Sequence, residues 1–197
     1  MTLESLVSIG VGLALAAAAG FRVFVPLLAL SLAARAGWVE LSPSFAWLAT
    51  TPASIALASA MVLEIAAYYI PFFDNLLDTL TAPVAVLAGI LASASLLTEL
   101  PPWLQYTIAI VGAGGTAGVV HATTSVLRLK SSAATAGLGN PVIATMELMG
   151  AILIAVVGLL APVIALMVAV VIVVVITRRF NAWRLGNGRA AVRSSLD

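Results

Sequence analysis

The chain has 197 residues, 62% of them hydrophobic and 9% charged, with a formal net charge of +1 and no cysteine. Soluble domains carry about 25% charged residues, so a surface this poor in charge excludes water as the main solvent and requires lipid. The near-neutral charge excludes a nucleic-acid partner, the absent cysteines exclude disulfides and thiol chemistry, and one histidine, His121, builds no metal cluster alone, so neither metal nor cofactor is expected.

A helix that crosses the hydrocarbon needs roughly 20 apolar residues. Apolar runs bounded by short Pro-, Gly-, Asn- and Asp-containing turns predict an all-α polytopic transmembrane bundle of six to seven segments. Residues 1–180 form a single transmembrane domain, and 181–197 form a basic cytoplasmic tail. Segments 1 and 2 are fused from Leu3 to Trp38, which as one straight helix would be about 54 Å long, far beyond a ~30 Å core. The chain must break, and Gly20-Phe21-Arg22, with Pro26 opening the next helix, is the expected place. Segment 1 is then 3–19 and segment 2 is 23–37. Segment 3 is expected over 52–70, with Thr51 as N-cap and Pro52 at the first helical position. Segment 4 runs over 75–97 and segment 5 over 103–127. A hydroxyl-rich stretch from Ser131 to Gly139 follows, and Asn140-Pro141 caps and opens segment 6 over 141–158. Pro162 restarts the chain as segment 7, 162–180, whose β-branched run from Val168 to Ile176 suits a lipid-facing periphery.

Basic residues favour cytoplasmic loops. Arg178, Arg179, Arg184, Arg189 and Arg193 put the C-terminus inside, and Arg128 and Lys130 put the 128–140 loop inside. The loop over 38–51, with Trp38 and Trp47, then lies outside, as does the N-terminus. The alternative makes segments 1 and 2 one bent span or a re-entrant pair, which gives six spans with both termini inside. No secretory signal peptide fits the N-terminus, so the first helices are expected to act as uncleaved signals.

Charge inside the hydrocarbon is costly and marks an interior or a cavity. Glu64 lies about 9 Å by helical rise from the cytoplasmic end of segment 3. Glu147 lies about 9 Å, and His121 about 10 Å, from the same boundary on segments 6 and 5. Arg22, at the break, can join that layer by snorkelling. Three helices thus offer ionisable groups at one depth. They form either a polar site for an ion, a proton or a head group, or a buried network that locks the helices together. Asp74 is placed to cap segment 4; Asp78, one turn deeper, joins the candidate ligand-binding residues. Tyr68 and Tyr69 are expected as interface anchors.

Two stretches combine Gly or Pro with polar groups, Gly20 to Pro26 and Ser131 to Pro141, and both predict broken helices. Irregular backbone at membrane depth must be buried or line a cavity, and a helix start such as Asn140-Pro141 offers amides to an anion. Small residues, among them Gly114 and Gly118, predict close helix packing inside one protomer, a subunit interface or close backbone approach to a ligand. A weak internal repeat pairs Ala60 to Glu64 with Ala144 to Glu147, and Thr81 to Val84 with Leu160 to Val163.

The motif Gly20-Phe21-Arg22-Val23-Phe24-Val25-Pro26-Leu27-Leu28, with Gly137-Leu138-Gly139-Asn140-Pro141 followed by Glu147, resembles a bacterial multi-pass membrane family catalogued as a domain of unknown function. The resemblance covers nearly the whole chain. It implies a bacterial inner-membrane location and makes the two broken stretches family hallmarks, but brings no substrate.

No phosphate loop, GxSxG or HExxH motif is present, and no Ser or Asp pair supports an intramembrane hydrolase, so a non-enzyme is expected. The first functional reading is a small-solute or ion transporter or channel, with Glu64, His121, Glu147, Arg22, Asp78 and Asn140 as its binding residues. The alternative is a non-transporting scaffold that interacts with lipid or protein, its polar layer purely structural. Partners are the lipid bilayer, a small solute or ion, and, given so small a bundle, a homodimer.

Overall fold

The computed structural model describes residues 2–70, 73–164 and 167, with side chains at 73–79 outside the described set. Segment 7 beyond those residues, its expected lipid-facing run and the basic tail also lie outside the described residues. Among the described residues every regular element is helical: α1 (Leu3–Phe21), α2 (Phe24–Arg35), a short 3-10 turn (Pro43–Ala49), α3 (Thr51–Tyr68), α4 (Phe73–Leu96), α5 (Pro102–Thr107), a π segment (Ile108–Gly114), α6 (Gly115–Thr135) and α7 (Asn140–Leu160).

Each boundary has a local cause. The Thr2 hydroxyl caps α1 by accepting the Ser5 amide at 3.1 Å, and it donates to Glu99 across the bundle end at 2.8 Å. α1 stops because Arg22 is extended (φ −145°, ψ 120°), and α2 resumes at Phe24 with Pro26 in its first turn, where a missing N–H costs nothing. α3 is capped by Thr50, not the expected Thr51: Thr50 is the residue in extended conformation, and its hydroxyl accepts the Ala53 amide at 3.4 Å. Asn140 likewise is not a cap. It is the first residue of α7, Gly139 precedes it as the flanking position, and its side chain turns back to Ser132.

The loop expected over 128–140 is mostly helix. α5, the π segment and α6 form one apolar rod from Pro102 to Thr135, about 50 Å long at 1.5 Å per residue. The hydroxyls that suggested a loop bond back along the helix instead, as when Thr135 donates to the Ser131 carbonyl at 2.8 Å. The rod ends only at Ala136 (φ 51°) and Gly137 (φ 85°), where left-handed backbone turns the chain into α7. The π segment left no signal in the residue pattern.

α1 is the centre of the bundle. It packs against α4, α6, α7 and α2, and half of its apolar window is buried, against 22% to 28% in the other three long apolar helices. Its contacts are made by small residues. A Cβ on Gly20 would stand 2.6 Å from the Ala117 carbonyl oxygen, so α6 lies on α1 backbone to backbone. Ala16 and Ala117 fill the space between them, while the larger core lies where α1 meets α4, at Leu15, Ala18, Ala19, Ala88 and Ala92, continued by Leu27, Leu30 and Leu48. Gly114 and Gly118 face Ile90 and Val86 of α4, which is packing within one chain. The repeat gains no support: Pro83 sits inside continuous α4, whereas Pro162 follows the end of α7.

Outward faces are apolar. Val111, Met146, Leu63 and Leu153 are exposed to between 63% and 72%, which water would penalise and lipid does not. Four helices are long and apolar enough to cross a membrane, accompanied by shorter apolar helices at Phe24–Arg35 and Leu80–Leu96. This is a membrane protein. α2, about 18 Å long, falls short of a ~30 Å core by itself.

Candidate functional site

The break between α1 and α2 leaves backbone groups without helical partners, and two residues from other helices satisfy them. Val23 offers no side-chain cap to α2. Glu64 of α3 takes that role from outside, its carboxylate accepting the Val23 amide at 2.8 Å and the Phe24 amide at 3.1 Å. The negative charge sits at the positive end of the α2 dipole. His121 of α6 meets the Gly20 carbonyl through Nδ1 at 3.3 Å. A carbonyl only accepts, so Nδ1 carries the proton.

Arg22, the extended residue of the break, is 1% exposed. Its Nη2 donates to the Ala144 carbonyl of α7 at 2.9 Å and lies 3.4 Å from Glu147 Oε2. Arg128 of α6, also 1% exposed, grips Glu147 from the other side. Arg128 Nε donates to Glu147 Oε1 at 3.0 Å, and Arg128 Nη2 donates to Oε2 in a two-pronged pair. The Tyr68 ring serves both cations, with the Arg22 guanidinium carbon 3.8 Å and the Arg128 carbon 4.2 Å from its centroid. Its hydroxyl pairs with Thr81 of α4 at 3.2 Å. Two arginines, one shared carboxylate and one aromatic ring from four elements thus form a buried cluster. Ion pairing and the ring offset the desolvation of both guanidiniums, which never deprotonate.

The cluster is not fully matched. Arg22 Nε and Nη1 and the Ser125 hydroxyl are buried without a hydrogen-bond partner among the described residues.

Of the residues expected from the sequence, Arg22, Glu64, His121 and Glu147 do converge on the break. Glu64 and His121 face backbone groups there. Asn140 donates to Ser132 Oγ at 2.8 Å across the turn, about 10 Å from Glu147 by helical rise. The Asp78 side chain lies outside the described residues. Arg128 and Tyr68 were missed. Arg128 is a buried helical residue, not a loop charge, and Tyr68 is 3% exposed beneath two guanidiniums instead of anchoring an interface. One signal for Arg128 was available: it falls on one helical face with His121, Thr124 and Ser125. Tyr69, 44% exposed and bonded to Thr145 at 2.7 Å, keeps a boundary position. No three metal-ligating side chains gather among the described residues.

Residues 9–182 match the family model described as Domain of unknown function (DUF4126). The chain belongs to that family. The match takes in the break, the arginine cluster and the α6–α7 turn together. No curated protein and no solved structure matches the chain.

Proposed function

We propose that the protein is a small-solute or ion transporter of the bacterial inner membrane, with its polar site at the Arg22–Glu147–Arg128 cluster on the cytoplasmic half. One observation carries this reading: a fully buried arginine sits in a broken helix with two of its nitrogens unpartnered among the described residues. Irregular backbone at membrane depth is buried in protein or lines a cavity, and ionisable residues there commonly mark a functional path. The cytoplasmic orientation rests on the arginines at 178, 179, 184, 189 and 193 and on Lys130; Arg128, being buried, no longer counts toward it.

Flux in proteoliposomes across a panel of salts and imposed pH gradients tests the reading. Wild type is expected to pass at least one solute, and folded Glu147→Gln and Arg22→Lys variants to lose that flux. A wild type silent across the panel sinks it.

A second reading, a scaffold whose polar layer only locks the helices, is favoured by Glu64 and His121, which both serve backbone groups at the break. A membrane-impermeant thiol reagent separates the two on Glu147→Cys, in a chain with no native cysteine. Labelling supports a reachable site; protection from both sides supports the scaffold.

A further inference from the structure

We infer that Arg22 and Ser125 form a subsite for a small oxyanion or carboxylate, and that Glu147 is a tethered competitor for it. This names the ligand class of the site proposed above and rests on that reading for the anion's passage, though not for its binding.

A guanidinium carries five N–H donors in a fixed plane. In Arg22 only Nη2 is used, on the Ala144 carbonyl. Nε and Nη1 hold the other three N–H bonds, on a side chain 1% exposed, with no acceptor among the described residues. A buried charged donor left unsatisfied costs more than a neutral one, and arginine cannot escape by losing its proton. Among the described residues, the nearby carboxylates are already committed. Glu147 faces Arg128 with both oxygens and reaches Arg22 only at 3.4 Å, beyond the ordinary 2.7–3.2 Å range. Glu64 spends both oxygens on the Val23 and Phe24 amides.

Ser125 is the second, independent observation. At 100° per residue it lies about 40° around α6 from His121 and about 60° from Arg128. His121 touches the Gly20 carbonyl, and Arg128 shares Glu147 with Arg22. Ser125, half-buried, therefore lies beside the face of α6 that His121 and Arg128 turn to the break. The Ser125 hydroxyl there is buried without a partner among the described residues. A cation with spare donors and a hydroxyl, facing one segment from two elements, match the acceptor-rich edge of a carboxylate, nitrate or phosphate. Glu147 is a carboxylate of that same class, held on α7 beside Arg22.

The test uses the full chain in detergent micelles. Its thermal unfolding is followed against sodium nitrate, acetate and phosphate, and separately in micelles doped with phosphatidylglycerol. Wild type should be stabilised by at least one of these anions. Ser125→Ala should weaken the response several-fold, Arg22→Lys should abolish it, and Glu147→Gln should tighten apparent binding by on the order of tenfold, because the competing charge is gone. A response to soluble anions alone identifies a free anion; a response to the lipid alone identifies a head group; either supports the subsite. No response in wild type, or an unchanged response in both Ser125→Ala and Arg22→Lys, overturns it. Anion-dependent stabilisation without flux would remove the transport reading and leave the subsite standing. Flux of a cation or neutral solute with no anion response would do the reverse.

Discussion

Glu64 is a charge whose burial is explained by the backbone it serves. Two amides at the start of α2 have no acceptor of their own, and the carboxylate provides both. Glu64→Ala should therefore cost about 1–3 kcal/mol for each orphaned amide, while Glu64→Gln, which keeps one carbonyl oxygen, should lose roughly half as much. Denaturant unfolding in micelles measures the loss, and hydrogen exchange at Val23 and Phe24 should speed up in the Ala variant. Unchanged exchange at both amides would show that the cap is not formed. Glu147 differs in kind, since its partners are charges. Removing it leaves Arg128 without its two-pronged partner, and Glu147→Gln should destabilise by about 3–5 kcal/mol. Arg128→Met, which removes the cation and keeps the bulk, still leaves Glu147 near Arg22 and should cost less. Equal losses in both would mean that Arg22 does nothing for Glu147.

Helix packing decides which side chains meet. α1 and α6 approach so closely at Gly20 that an added methyl would overlap the Ala117 carbonyl and the Val120 side chain, each at 2.6 Å. Gly20→Ala should push the two helices apart and cost about 1–3 kcal/mol or more, since a carbonyl cannot rotate out of the way as a side-chain tip can. Gly115→Ala is the internal control. Nothing lies within 4 Å of its added Cβ, and alanine is the better helix former by about 0.5–1 kcal/mol, so that variant should hold or gain stability. If Gly20→Ala unfolds no more easily than Gly115→Ala, the close approach is not real. The turn between α6 and α7 depends on left-handed backbone at Ala136 and Gly137. It sets the register that lets Arg128 and Glu147, nineteen positions apart in sequence, face each other.

At the scale of the whole molecule, the rod from Pro102 to Thr135 exceeds the ~30 Å hydrocarbon thickness. A rod that spans has its two ends on opposite sides. In the cysteine-free chain, Thr98→Cys and Ala133→Cys, both at exposed positions, should be labelled by an impermeant reagent from opposite faces, with Ala133 on the cytoplasmic side. Labelling of both from one face would refute a spanning rod. Among the described residues the bundle is built around α1, so changes in the break act on α2, α6 and α7 together.

Much of this was legible in the residues alone. Composition required lipid, because so few charges cannot cover a water-facing surface. Glycine and proline beside polar groups marked the break at Gly20 to Pro26, whereas in the second stretch they mark only the turn between α6 and α7. Helical rise put Glu64, His121 and Glu147 in one layer, with Arg22 able to join it by snorkelling. Rise reports only depth, however. Which partner each charge takes depends on how every helix is rotated about its axis, and that is decided by contacts such as Gly20 on Ala117, which no single helix encodes. Only the tertiary structure could therefore give Glu64 and His121 to the backbone, draw Arg128 out of a supposed loop, and set Tyr68 beneath two arginines.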